Sequence, residues 1–172
     1  MSKKIRKIAI IGYSGCGKST LAAFLAEKLG VDVLYIDTIQ FAPGWIERPF
    51  DVKQKMMQEF LDAHENGWVI DGNYKKLAFD QRMDDADQII IMTFNRVSCL
   101  RRVIRRYVEN KGRSRASMTP GCDEKLDADF VKWILWKGRK SNLPMIQEVQ
   151  RQYPEKVTVI HNQKELDAYY KK

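Results

Sequence analysis

Ile11–Thr20 reads IGYSGCGKST. Gly12, Gly15 and Gly17 crowd around one lysine, Lys18, in a stretch that is entropically costly to order. It joins an apolar run, Lys7–Ile11, to a helical pattern that starts at Lys18. Gly12, Gly17, Lys18 and Ser19 satisfy G-x-x-x-x-G-K-[ST] at every fixed position, after a strand and before a helix. The glycines let successive backbone N–H groups curl around phosphate oxygens, and the positive end of the following helix adds to the attraction. In this pattern Gly12, Ser14, Gly15, Cys16, Gly17, Lys18, Ser19 and Thr20 hold a nucleotide. Lys18 reaches the β- and γ-phosphates, and the Ser19 hydroxyl is placed for a metal. ATP and Mg²⁺ are the implied cofactors. A cysteine phosphatase loop is excluded, because the position where it needs an arginine is Ala22. Cys16 then reads as a small loop residue.

On either side, strands and helices alternate. KIAII (Lys7–Ile11) is a β-rich run that stops at Gly12, and Leu21, Phe24, Leu25, Ala26 and Leu29 then recur at helical spacing until Gly30. Val33–Ile36, Trp68–Ile70, Gln88–Phe94 and Lys156–Ile160 read as the second to fifth strands. Asp51 with Gln54 resembles a capping box, heading a helix with Val52, Met56, Met57, Phe60 and Leu61 on one face. Further helical patterns cover about 97–108, 127–137, 143–152 and 164–170. The Gly-, Ser- and Arg-rich stretch 111–125 reads as a loop, and a loop that long in a compact domain is functional or disordered. Strands separated by helices imply a parallel sheet covered on both faces, a three-layer α/β fold in a single domain over 1–172.

Composition narrows the partners. The chain has 172 residues, 44% hydrophobic and 30% charged, enough for a sizeable core in one soluble domain. No run approaches a membrane span, and Ile8–Ile11 is too short for the apolar part of a signal peptide, so no membrane partner is expected. Cys16, Cys99 and Cys122 are scattered without CxxC spacing, which argues against a disulfide framework or zinc site and for a cytoplasmic protein. The net charge of +8 favours a polyanion, either nucleic acid or the phosphates of a nucleotide.

A P-loop needs an acid to hold Mg²⁺ and its waters. Asp71, closing WVID, and Asp37, closing VLYID, both offer one, whereas the fourth strand ends MTFN. WVIDGNY resembles the hhhDGFPR element of adenylate-kinase-like nucleotide kinases, whose aspartate lies near the metal and whose third strand borders the P-loop strand. The resemblance implies that Ser19 and Asp71 meet the metal and that Asp37 lies one strand further out, on the acceptor side. The family arginine falls at Lys75, which becomes the acceptor-side candidate there. IIGYSGCGKSTLA, LYIDTIQFAPGWIER, WVIDGNY, FNRVSCLRRVIRRY and GCDEKLDADFVKWI, in this order, resemble the bacterial "DNA topology modulation" proteins, small P-loop proteins of the adenylate-kinase-like group. That likeness covers nearly the whole chain. It implies a P-loop nucleotide-kinase-like fold with a five-stranded parallel sheet of order 2-3-1-4-5, an acceptor-binding insertion at about 38–67 and a helical and loop lid at about 108–140.

Charge concentrates in the lid. Arg96, Arg101, Arg102, Arg105, Arg106, Lys111, Arg113 and Arg115 face one acid, Glu109, over the same stretch. In adenylate-kinase-like enzymes the helix after the fourth strand carries arginines that close on the phosphates, which implies that role for Arg102, Arg106 and Arg96. Trp45 and Arg48 lie where these kinases bind the acceptor, suited to stack on a base and to hold an anion. Trp133 and Trp136 read as packing, Arg139 as a late lid arginine, and His161–Gln163 as the loop next to the adenine. Two functions follow. One is a kinase using Lys18, Asp71, Arg102, Arg106 and Arg96 to pass the γ-phosphoryl group from ATP to a small-molecule acceptor near Asp37, Trp45, Arg48 and Lys75. The other is a nucleotide-binding regulator or ATPase that touches nucleic acid weakly through the basic lid.

Overall fold

The computed structural model describes residues 5–171. β1 (Lys7–Gly12) lies at the centre of a five-stranded sheet ordered β2-β5-β1-β6-β7. The other strands of the sheet are β2 (Asp32–Tyr35), β5 (Trp68–Asp71), β6 (Gln88–Met92) and β7 (Val157–Ile160), β1 pairs with β5 and β6, and every neighbouring pair runs parallel. β3 (Phe41–Ala42) and β4 (Ile46–Glu47) form a separate antiparallel hairpin. Counting only strands of the main sheet, the order is the expected 2-3-1-4-5.

Strand composition explains the three layers. Ala9 and Ile11 point to one face, where α3 (Phe50–Ala63), α4 (Phe79–Asp85) and α7 (Gly138–Gln152) supply Met57, Leu61, Met83, Met145 and Val149. Ile8 and Ile10 point to the other, against Leu21, Leu25, Cys99, Val103 and Leu166 of α1 (Lys18–Leu29), α5 (Arg96–Glu109) and α8 (Gln163–Tyr170). A strand buried on both faces must be apolar throughout, which is why β1 shows no alternation.

Several local expectations are corrected. β2 ends at Tyr35, and Ile36 opens a short helix, α2 (Ile36–Gln40), with the Thr38 hydroxyl donating to the Tyr35 carbonyl. α3 starts at Phe50 behind Pro49, so Asp51 is a first-turn acid facing the helix dipole and no capping box forms. The helical patterns at 127–137 and 143–152 are one continuous path. α6 (Ala128–Lys132) runs through a π turn, Trp133–Lys137, into α7, which continues past Pro144. The Asn142 side chain donates to the Gly138 carbonyl within that path (2.7 Å).

The 111–125 stretch has no regular structure, yet Met118, Thr119, Cys122 and Glu124 within it are buried. It docks on the hairpin. The Thr119 hydroxyl donates to the Phe41 carbonyl (2.6 Å), the Gly44 N–H to the Gly121 carbonyl (3.0 Å) and the Cys122 thiol to the Ala42 carbonyl (3.2 Å).

Candidate active site

The loop after β1 is shaped by its glycines. Gly12 has φ +138°, and a Cβ there would run into the Met92 carbonyl of β6. Gly17, at φ +94°, precedes the first residue of α1, so the helix starts at Lys18 with its free N–H groups facing the loop. Lys18 Nζ donates across the loop to the Tyr13 carbonyl (3.0 Å).

Register then brings the acid in. β5 pairs with β1 so that Asp71 stands opposite Ile10, and Ser19 Oγ donates to Asp71 Oδ2 (2.7 Å). Asp71 Oδ1 is buried without a hydrogen-bond partner among the described residues. Burial pushes the Asp71 carboxyl upward, against the pull of the Lys18 ammonium and the Ser19 hydroxyl. One hydroxyl beside a carboxylate with an unshared oxygen suits Mg²⁺, a hard cation that keeps most of its waters. Asp37 sits apart in α2, where Oδ1 accepts from the Tyr74 hydroxyl (2.6 Å). Burial, reinforced by Asp37, holds that phenol protonated.

The arginines of α5 and of the stretch after it divide. Arg102 Nη1 donates to the Cys16 carbonyl (3.0 Å), its Nη2 bonds Gln163, and its guanidinium lies 4.6 Å from the Phe94 ring centre. An open cavity of about 260 Å³ lies between Phe94, Ser98, Arg102 and Gln163. Arg106 instead bonds Glu124 (3.1 Å), and Arg115 bonds the other oxygen of the same carboxylate, whose side chain is 5% exposed. Arg96 is exposed in the first turn of α5 and makes no ion pair among the described residues.

The acceptor-side candidates are also placed. Arg48 Nη1 donates to the carbonyls of Thr38 (2.8 Å), Ile39 (3.1 Å) and Phe41, closing the end of α2. Trp45 lies in the turn between β3 and β4 at φ +64°, and its Nε1 donates to the Asp123 carbonyl (3.1 Å). Lys75 is exposed. Within the loop Thr20 is exposed, and Ser14 Oγ accepts from Trp133 Nε1 (3.2 Å).

Some contributors carried no local signal. The Asn73 amide pairs with both sides of Gly12, accepting from its N–H and donating to its carbonyl (2.9 Å each). Arg82 is fully buried with no acidic partner among the described residues, donating to the carbonyls of Gly72, Tyr74 and Leu77 and so fixing the loop that follows Asp71. Arg139, by contrast, reads from the sequence as a late lid arginine, and it lies over the Tyr13 ring (4.2 Å) and donates to the Phe94 carbonyl (2.5 Å). Cys16 is a fully buried contact with α5, its sulfur 3.5 Å from Cys99 Sγ, more than the small loop residue expected.

Sheet order, loop and following helix together define a P-loop domain of the nucleotide-kinase type. Solved structures share it. A shikimate kinase from Acinetobacter baumannii in complex with shikimate superposes with a TM-score of 0.62 at 17% identity, over 98% of this chain and 90% of that one. A shikimate kinase from Bacteroides thetaiotaomicron gives a TM-score of 0.55 at 15% identity, over 98% and 95%. At such identities the likeness establishes the fold. In sequence, a shikimate kinase of Azobacteroides pseudotrichonymphae genomovar. CFP2 is 34% identical over 73 residues, covering 36% of this chain and 43% of that protein, less than half its length. No family model matches the chain. Among the described residues, no helix is long and apolar enough to cross a membrane.

Proposed function

We propose that this chain is an ATP- and Mg²⁺-dependent P-loop kinase that passes a phosphoryl group to the hydroxyl of a small acceptor. The observation that carries the reading is the Ser19–Asp71 contact at the head of α1, with a buried carboxylate oxygen left unshared. Mg²⁺, when bound, would neutralise charge between the phosphates, with Ser19 and Asp71 as its protein contacts. Lys18 exchanges its hold on the Tyr13 carbonyl for phosphate oxygens, and the N–H groups of Ser14, Gly15 and Gly17 to Thr20 supply the rest of the cradle, those of Gly12 and Tyr13 being held by Asn73 and the Met92 carbonyl. Arg102, already against the loop, meets the charge that spreads over the equatorial oxygens during transfer, and the cavity beside it takes the base. Asp37, oriented by Tyr74, accepts the acceptor hydroxyl's proton. In this reading the chain is a single domain, residues about 38–67 form the acceptor side, and residues about 108–140 form a lid. Shikimate, bound by the Acinetobacter baumannii relative, belongs in the acceptor panel as a carboxylate-bearing member.

The second reading, a nucleotide-binding regulator that touches nucleic acid, is favoured by the exposed Arg96, Arg101 and Arg105 on α5. ADP release by purified protein across a panel of acceptors separates the two. Lys18→Ala is expected to abolish transfer and weaken ATP binding without unfolding the chain, because Lys18 serves the loop and no core. Unchanged turnover in a folded Lys18→Ala protein overturns the kinase reading.

A further inference from the structure

We infer that the acceptor is a neutral polyhydroxy compound, a sugar, polyol or nucleoside, and that this site turns away acceptors bearing a phosphate or carboxylate. The inference rests on the kinase reading above and names the substrate class for that site. Binding an anionic acceptor group in a cleft takes at least one free cation, best a guanidinium forked onto two oxygens. Here the sheltered cations around the acceptor side are already taken. Arg48 has Nη1 on three backbone carbonyls. Lys53, itself buried, holds Glu47 (2.6 Å) and the Gln40 side chain (3.2 Å). Arg106 and Arg115 converge on one buried carboxylate, Glu124, and the one positive charge that pair leaves over is answered by Asp37, which acts on Arg106, and by Asp71, on which Arg115 acts. Arg82 is spent on the loop after Asp71. Cations left over, such as Lys75 and Arg113, are exposed, where water screens them and an anion gains little.

Glu124 is the telling residue. It stands where two arginines would clamp an incoming anion, so the chain carries its own counter-ion in place of one from the substrate. What remains facing the acceptor is acidic and hydroxylic. Asp37 and Asp71 both act on Tyr74, and the Tyr74 hydroxyl is committed to Asp37. A second anion beside two carboxylates is repelled, whereas a hydroxyl donates to Asp37. Transfer then balances simply. The acceptor oxygen bonds the γ-phosphorus, the bond from that phosphorus to the oxygen kept by ADP breaks, and the hydroxyl proton leaves through Asp37.

Matched pairs test this: glucose with gluconate, glycerol with glycerate, and thymidine with thymidine monophosphate, each assayed for ADP release and phosphorylated product. ATP binding is measured separately by calorimetry. At least one neutral member is expected to be phosphorylated, with kcat/KM at least about tenfold above its anionic partner, one decade being well within what a single charge can discriminate. Glu124→Gln, which frees Arg106 and Arg115, is expected to narrow or reverse that ratio. Preference for the anionic member of a pair overturns the inference, and so does ATP binding without transfer to any neutral member. Failure to bind ATP removes the kinase reading itself and takes this inference with it, a result the calorimetry alone identifies.

Discussion

Asp71 serves two opposed demands. Burial, with Asp37 nearby, disfavours its charge more than Lys18, Ser19 and Arg115 favour it, so in the ligand-free protein the ionised carboxyl is a destabilising element. The same charge is what a metal and its waters need. Asp71→Asn keeps the shape and an acceptor for Ser19. It is therefore expected to raise the ligand-free Tm while lowering turnover at least about a hundredfold, with ATP affinity changing far less. Thermal unfolding and steady-state kinetics on the same preparation check both halves. If Asp37→Asn gives that pair of effects and Asp71→Asn does not, the roles of the two strand ends are exchanged. At this scale the loop was legible because its spacing encodes its geometry. Gly12, Gly17, Lys18 and Ser19 are neighbours in sequence as they are in space. Asn73 was not, since its partner Gly12 lies 61 residues away and an Asp-Gly-Asn reads locally as a turn. Arg82 and Glu124 were hidden for a like reason, because a buried charge is recognised only once its distant partners are known.

Between elements, the P-loop and α5 are joined through their buried sulfurs. The hydrogen bond from Cys99, with Lys18 and Arg139 nearby, draws the Cys16 thiol below the ordinary value of about 8.5, against the opposing effect of burial. Arg102 bonds the carbonyl of the same cysteine, so movement of α5 and movement of the loop are linked. A lowered pKa means that the thiolate fraction, and with it the alkylation rate, rises at lower pH than for a free thiol. Iodoacetamide labelling of Cys16, read by peptide mass, is expected to titrate below about 8.5 and to be slowed by saturating ATP, which locks the loop over a fully buried sulfur. A midpoint at the ordinary thiol value, or no protection by ATP, would show that the two elements are not coupled this way. The element pattern itself was largely readable, since parallel strands buried on both faces announce themselves as unbroken apolar runs. The hairpin β3–β4 was not, because strands of two residues are too short for any periodicity to register. The path from α6 to α7 was read as two pieces because Gly138 and Pro144 are both poor helix formers. Gly138 is there to admit the Trp133 ring, which a Cβ would strike.

For the whole molecule, the question is what the surplus of positive charge does. The chain carries +8, yet the 111–125 stretch lies on the β3–β4 hairpin through hydrogen bonds from Thr119, Gly44 and Cys122, with Arg106 and Arg115 sharing Glu124. The charge that is left lies outside, on exposed positions such as Arg96 and Arg101, with the exposed Arg105 paired to Glu109, and Arg102 stands on the boundary between cleft and surface. The two functional readings assign Arg102 different work. An arginine that meets charge developing in phosphoryl transfer is worth roughly 10³–10⁵ in kcat, whereas one that contacts a DNA phosphate changes affinity and adds about one unit to the log–log salt slope. Arg102→Ala is accordingly expected to lower acceptor-dependent ADP release at least about a hundredfold. Duplex DNA binding, followed by anisotropy against salt, is expected to be weak, independent of sequence and largely gone by physiological salt in wild type and variant alike. Intact turnover combined with a shallower DNA salt slope would transfer Arg102 from the phosphoryl group to the nucleic acid, and the lid with it. The hydrogen bond from Arg102 to the Cys16 carbonyl, on the loop proposed to cradle phosphate, is why the loss is expected in turnover.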